Sequence, residues 1–291
     1  MLLPSKSPPP PIRIGACVTS VGSPRLVCAA TGDLSWWQDA ELRDRVGVVV
    51  AFSERCGGVS EAPFASLNLA GHVGDSAPRV DRNRDLWLEG LGLASVRDRL
   101  CMADQVHGEN IAVVDESQAG LGASVAAGRP PVSGTDALLT TVRLTPLALC
   151  FADCVPIVLV APGPAVAVVH AGWRGALASL PGAAVTAVAR AAGCTGADVI
   201  AYIGPHIGAC HYQVDAALMS QFVNTFGTVA RAESGCLDLD AVVTTSLQSA
   251  GVASCNIARL GTCTAEATDR FFSYRAEGGV TGRHAALVCI L

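Results

Sequence analysis

The segment FADCVPIVLVAPGPAVAVVHAGWRG, residues 151–175, holds Asp153, Cys154 and His170 in a run otherwise apolar enough for buried sheet, with Arg174 just beyond it. Burying an unpaired polar group costs a few kcal/mol, so these four need partners or a task. A thiol beside an imidazole admits three readings. It is a buried cysteine next to a backbone-bonded histidine, a Cys154 and His170 nucleophilic dyad in which the imidazole draws the thiol to thiolate, or part of a metal site. The metal reading needs a third ligand. His107, in ADQVHGEN, offers one, because Gly108 and then a strand follow it and place it at a loop tip.

Arg174 raises a separate question. In HAGWRGA the chain passes from strand end into helix, which puts a cation in the first turn, where the helix dipole disfavours it. A bound anion removes the conflict. Gly172, Arg174 and Gly175 together read as a phosphate cradle at a helix start, with a solvent-facing arginine as the alternative.

These side chains depend on the elements around them. PGP at Pro162 to Pro164, between the apolar runs from Pro156 to Val160 and from Ala165 to Val169, predicts a hairpin. With the fold-back near residue 162, Cys154 and His170 face each other with Cβ atoms about 4.5–5.5 Å apart. Alternation puts Asp153 on the other face, which weakens it as a catalytic candidate. Further strands are expected at VGVVVAFSE, NIAVVDE, TDALLTT, DVIAYIG and HAALVCIL, and helices over 174–192, 215–226 and 240–250. The elements do not follow a strict strand–helix–strand period, and tight turns imply antiparallel pairing. The fold class expected is α+β, with mixed sheets, antiparallel hairpins and flanking helices. Residues 1–45, Pro-rich and with a candidate short helix in LSWWQDAELRDR, read as an N-terminal extension, and 46–291 as a single catalytic domain.

Composition excludes several roles. The net charge is −5 and charged residues make up only 15% of the chain, so no basic stripe is available to neutralise nucleic acid. No apolar segment reaches the roughly 20 residues of a membrane helix. Prolines 8 to 11 stand where a signal peptide would have its apolar region, so a cytoplasmic location is expected. The twelve cysteines include no CxxC pair and read mostly as reduced core thiols.

The motifs AFSERCGGVS, SLNLAGHVGD, NRDLW, ADQVHG, TDALLTT, ADCVPIVL, VHAGWRG, IGPHIGACHYQV, GTCT, RFFSYR and TGRHAALV occur in this order. In this the chain resembles the laccase-domain, or multicopper polyphenol oxidase, family, which includes the bacterial peptidoglycan editing factor. The likeness spans about residues 46–291. It implies a fold similar to toxin-type cysteine hydrolases and a zinc site at His107, Cys154 and His170. It also implies phosphorolysis of adenosine, inosine and methylthioadenosine, deamination of adenosine, and a role for Arg55 in the same cleft. Two departures stand out: Gln213 where the family usually has Glu, and His206 and His211 in a loop where small residues are common.

Three protein ligands leave a tetrahedral zinc one open position, and zinc brings bound water to a pKa of about 7, within reach of attack on purine C6. The HxE and PCxxC signature of zinc nucleoside deaminases is absent. The catalytic set expected is Cys154, His107, Arg55 and Asp136, with Asp136 as general acid or base. Arg174, Gly172 and Gly175 would hold phosphate, and Phe272 or Tyr274 would stack on the purine. Copper-cluster oxidation needs many histidines and HxH pairs. The chain has six histidines and no HxH, although two His and one Cys are also a copper-binding set. The rival readings are a Cys154 and His170 amidase acting on peptidoglycan precursors, a polyphenol oxidase, and a non-catalytic partner protein.

Overall fold

The computed structural model describes residues 23–291. Numbered in chain order, one six-stranded sheet runs β1 (Val27–Thr31), β2 (Leu34–Gln38), β3 (Val48–Ser53), β12 (His284–Ile290), β7 (Leu147–Phe151) and β4 (Cys101–Met102). The other runs β11 (Ile257–Arg259), β10 (Ile200–Ile203), β8 (Val155–Ala161), β9 (Ala165–Ala171), β6 (Ala137–Thr140) and β5 (Ile111–Val113). Both are mixed: β4 and β7, β5 and β6, and β10 and β11 pair parallel, and the other neighbours antiparallel. The helices are α1 (Ala40–Val46), α2 (Ala77–Gly90), α3 (Trp173–Leu177), α4 (Leu180–Ala192), α5 (Ala216–Phe226) and α6 (Leu239–Ser249). The fold is thus α+β, as expected.

The sheets lie face to face, with helices outside. Phe52, Leu149, Phe151 and Val288 of the first sheet share one apolar layer with Val158, Val160, Val166 and Val168 of the second. The outer face of the second sheet packs Ile157, Leu159 and Val169 against Val185 and Val188 of α4 and Val243 and Leu247 of α6. On the far side, Val49, Ala51 and Leu287 meet Trp87 and Leu88 of α2. With both faces covered, every residue of β8 and β9 is buried, hence their unbroken apolar runs.

Three expectations change. The described part of the 1–45 stretch does not stand apart from the domain, because β2 pairs with β3 along Trp36, Trp37 and Gln38 and β1 pairs with β2. The helix expected over 174–192 is two. Ser179, at φ 58, turns the chain between α3 and α4, and Pro181 opens α4, where a missing N–H is harmless. The thiols are also less uniform than expected: Cys101, Cys150 and Cys289 are buried, whereas Cys28, Cys56 and Cys210 are exposed. Helices α5 and α6 fall where expected, capped by Asp215 on the Leu218 N–H and Asp238 on the Ala241 N–H.

Candidate metal centre

The hairpin forms, but one register step later than the turn prolines suggest. Gly163, at φ 84, is the fold-back point; Ala161 faces Ala165 and Pro156 faces His170. Cys154 precedes β8 and lies diagonal to His170 on the same face, still within reach across the strands. That face looks into the layer between the sheets, where Val158, Val160, Val166 and Val168 are packed. Cys154 and His170 therefore sit where that layer runs out, with Phe151 5.4 Å from the His170 ring.

His107 completes the cluster. Its loop puts it at φ 57, and its ring meets that of His170 edge-on at 4.8 Å between centroids. One ligand atom each from His107, Cys154 and His170 lie within 4.8 Å of one another. Asp136 holds the arrangement. Its Oδ1 is 2.8 Å from His170 Nδ1, and its carboxylate accepts from the His107 N–H at 3.0 Å and the Gly108 N–H at 2.7 Å. Its carbonyl also accepts from the His170 N–H at 2.7 Å. One buried carboxylate therefore fixes a ligand-bearing loop and a ligand-bearing strand. With Nδ1–H donating to Asp136, His170 presents Nε2 to Cys154, the carboxylate–histidine arrangement of metal sites.

Electrostatics agree. Burial alone would raise the Cys154 thiol, but the His170 charge and hydrogen bonds from both histidines outweigh it and bring it down to about 6. Burial opposes charge on His170 too, yet Cys154 and Asp136 hold it up at about 9. The pair favours thiolate, the form that ligates metal and attacks electrophiles. A thiolate, an imidazole whose tautomer is fixed by a carboxylate, and a second imidazole on an exposed loop suit zinc or copper, and three ligands leave a position open.

Asp136 is fully engaged by His170 and the His107 and Gly108 N–H groups. It is fully buried, and although burial raises its pKa, His170 and the Gly108 and His107 N–H groups hold it below the usual carboxylate value. Its contacts hold His170 and the His107 loop in position. Gly172 and Gly175 are packed against the ligand loop. A Cβ on Gly172 would stand 3.0 Å from the His107 ring and 3.3 Å from Cys154 Sγ, and one on Gly175 would stand 3.0 Å from the Gly108 carbonyl oxygen. Both glycines let the ligand loop close onto α3. Arg174 is exposed, its guanidinium 4.3 Å above the Trp173 ring, and has no carboxylate partner among the described residues. Since α3 is only five residues long, an anion there would be held by the side chain alone.

Arg55 is taken up structurally. It donates to the Thr268 and Phe271 carbonyls, pairs with Glu277 at 3.0 Å and stacks 4.3 Å above Phe272. Phe272 is fully buried and so is core, not a platform for purine; Tyr274 is 54% exposed, with Arg283 above its ring. Asp153, set aside on alternation, proves to be a brace. At φ 88 it leaves strand geometry, and its carboxylate accepts from Thr264 at 2.6 Å, Ser273 at 2.7 Å and the Arg275 N–H at 2.7 Å. Alternation fails there because β8 begins only at Val155, and the signal available was an aspartate, a residue type enriched at positive φ, next to the ligand.

A cavity of about 290 Å³ is lined among others by His72, Arg84, Asp104, Gln105, Arg129 and Cys150, with Asp104 and Gln105 leading into the loop that carries His107. Burial, then the charge of Arg283, lowers the His72 pKa, with Asp104 opposing and His107 adding to the effect.

Residues 49–291 match the family described as multi-copper polyphenol oxidoreductase laccase. Among curated proteins, purine nucleoside phosphorylase YlmD of Geobacillus stearothermophilus is 37% identical over 250 residues, covering 83% of this chain and 90% of that protein. Purine nucleoside phosphorylase SCO2081 of Streptomyces coelicolor is 37% identical over 252 residues, 84% of this chain and 97% of that protein. The crystal structure of the Geobacillus YlmD superposes with a TM-score of 0.80 at 32% identity, over 91% of this chain and 99% of that one. The Bacillus licheniformis hypothetical protein YfiH gives 0.81 at 31%, over 90% and 97%.

Proposed function

The chain belongs to the multi-copper polyphenol oxidoreductase laccase family, and from that membership we propose that it is a zinc-dependent purine nucleoside phosphorylase that also deaminates adenosine. The observation that carries this reading is the His107, Cys154 and His170 set, three ligands that would leave a fourth position open. Adenosine, inosine and methylthioadenosine are the substrates proposed. The names of the relatives support phosphorolysis. Zinc, when bound, supplies a Lewis acid with one free position, the chemistry that deamination at C6 calls for.

The chain's own residues do the rest. Asp136 on Nδ1 of His170 leaves Nε2 for a ligand role, so His170 and Cys154 would hold the metal together with His107. The cavity orients the nucleoside, with Asp104 and Arg129 as its polar contacts. The unpartnered Arg174 cation receives the phosphate that attacks C1′, and the purine leaves with the glycosidic bond electrons. A cytoplasmic site of action belongs to the same reading, and among the described residues no helix is long and apolar enough to cross a membrane.

A second reading has an observation of its own. Cys154, His170 and Asp136 form a thiolate, imidazole and carboxylate series suited to an amidase, as in the peptidoglycan-editing branch. Zinc-loaded protein incubated with adenosine separates the two. Adenine and ribose 1-phosphate should form only with phosphate present, and inosine irrespective of it. Adenosine left intact while a muramoyl peptide loses an amino acid would overturn the phosphorylase reading in favour of the amidase.

A further inference from the structure

Away from the first cluster, the IGPHIGACHYQV loop meets the GTCT turn and brings together Cys210, His211 and Cys263, one ligand atom each within 4.8 Å. His211 Nδ1 stands 3.2 Å from Cys210 Sγ, 3.7 Å from Cys263 Sγ and 3.6 Å from Glu266 Oε1. A tetrahedral zinc with Zn–S of about 2.3 Å and Zn–N and Zn–O near 2.0–2.1 Å has N···S edges of about 3.5 Å and N···O edges of about 3.3 Å. The two N···S separations bracket the N···S edge, and the N···O separation is slightly longer than its edge.

We propose that Cys210, His211 and Cys263, with Glu266 beside His211, form a second metal site for a thiophilic divalent cation of the zinc class. Two thiolates and an imidazole are donors typical of structural zinc, and the Glu266 carboxylate, 3.6 Å from His211 Nδ1, stands nearby as a fourth donor. The backbone prepares it. The Gly208 N–H donates to Cys263 Sγ at 3.2 Å, the kind of outer-shell bond that steadies a ligating sulfur, and a Cβ at Gly208 would stand 3.1 Å from Cys210 Sγ and 3.2 Å from Cys263 Cβ. Glycine admits both sulfurs there.

The two ligand-bearing segments are also tied before any ion binds. His206 and Cys263 form a parallel bridge, with the His206 N–H on the Thr262 carbonyl and the Thr264 N–H on the His206 carbonyl. Arg275 donates to the His211 and Gln213 carbonyls. Thr264, next to Cys263, holds Asp153, which precedes Cys154. An ion here therefore clips together the two loops that brace the first centre, and does so whatever reaction that centre performs.

The test is metal stoichiometry of the whole protein, purified with a non-chelating reductant and titrated with Zn²⁺ against a chromophoric chelator. About two tightly held ions per chain are expected. Cys263→Ser, Cys210→Ser and the exposed His211→Ala should each lower the count to about one, and so should Cys154→Ala, while Cys154→Ala with Cys263→Ser should hold none. His211→Ala lies on the surface, so its fold is expected to survive and its count to be readable. One ion in the wild type, lost on Cys154→Ala and retained by His211→Ala, would overturn the second site and leave the first standing. A Cys210–Cys263 disulfide in the reduced preparation, seen as a loss of two mass units, would overturn it as well.

Discussion

Replacing Gly172 by alanine adds one methyl group where the ligands of the first centre converge. Gly172 lies at φ −69 and ψ 174, extended backbone that alanine adopts freely, so the effect is steric and not conformational. The new Cβ would stand 3.0 Å from His107 Cδ2 and 3.3 Å from Cys154 Sγ. Comfortable carbon contacts are about 3.5–4.0 Å, so His107 must retreat by roughly half an ångström. Metal–ligand distances tolerate only about ±0.2 Å. Because His107 sits on an exposed loop, the apo protein can relax by moving it, and the cost falls on metal binding. Overpacking of this kind costs about 1–3 kcal/mol, a loss of roughly 5- to 150-fold in zinc affinity. Chelator competition on wild type and Gly172→Ala measures that, with urea unfolding of both apo proteins as control. Zinc affinity within twofold of wild type, or an unchanged affinity with a raised phosphate KM, would refute the packing role and return Gly172 to an anion cradle.

Asp136→Asn keeps the shape of the brace and removes its charge; zinc affinity should fall about 10- to 100-fold, and isothermal titration showing no change would mean that Asp136 does not orient His170. Arg174→Ala should weaken apparent phosphate affinity about 10- to 150-fold while sparing deamination, with lysine rescuing in part, as read from initial rates of both reactions. Equal loss of the two activities would contradict a phosphate role. His284, buried between the rings of Phe151 and Phe271, has its pKa pushed down to about 3 by burial, from an ordinary 6.5. The unfolded chain then binds the extra proton below pH 6.5, so stability is full above that pH and lost as pH falls toward 3, by about 1.4 kcal/mol per unit. Denaturant unfolding of His284→Phe between pH 4.5 and 6 should show a shallower slope than wild type, and parallel slopes would refute the assignment.

Much of this centre is legible in the sequence because its ligands punctuate patterned elements. Cys154 and His170 interrupt apolar strands, His107 marks a loop end, and Pro162 to Pro164 announces the hairpin that joins two of them. The register is less legible. Either of two adjacent residues can be the fold-back point of a three-residue turn, and Gly163 takes it because it alone of the three accepts φ 84 without cost. The roles of Asp136, Asp153 and Gly172 are set by contacts across long sequence separations, which residue type and spacing do not encode. Arg55 and Phe272 mislead for a related reason. An arginine and an aromatic in a motif look like ligand contacts until the fold shows them stacked on one another, 4.3 Å apart, and bound to Glu277 and backbone carbonyls.

The hairpin through Gly163 has a consequence for the order in which the centre comes together. Strands β8 and β9 pair along their whole length, so Cys154 and His170 are brought near each other by a short, local chain closure. His107 comes from a more distant segment, and its longer closure costs about 1 kcal/mol more chain entropy. It joins through Asp136, which immediately precedes β6, so it is expected to arrive after β6 has added to β9. Folding is expected to pass through a two-ligand stage before the third ligand closes. A hairpin carrying a thiolate and one imidazole holds a cation weakly, so the apo protein is the species that folds and the ion enters a finished cage. Metal supply during synthesis should leave the folding rate alone and alter only the final stability.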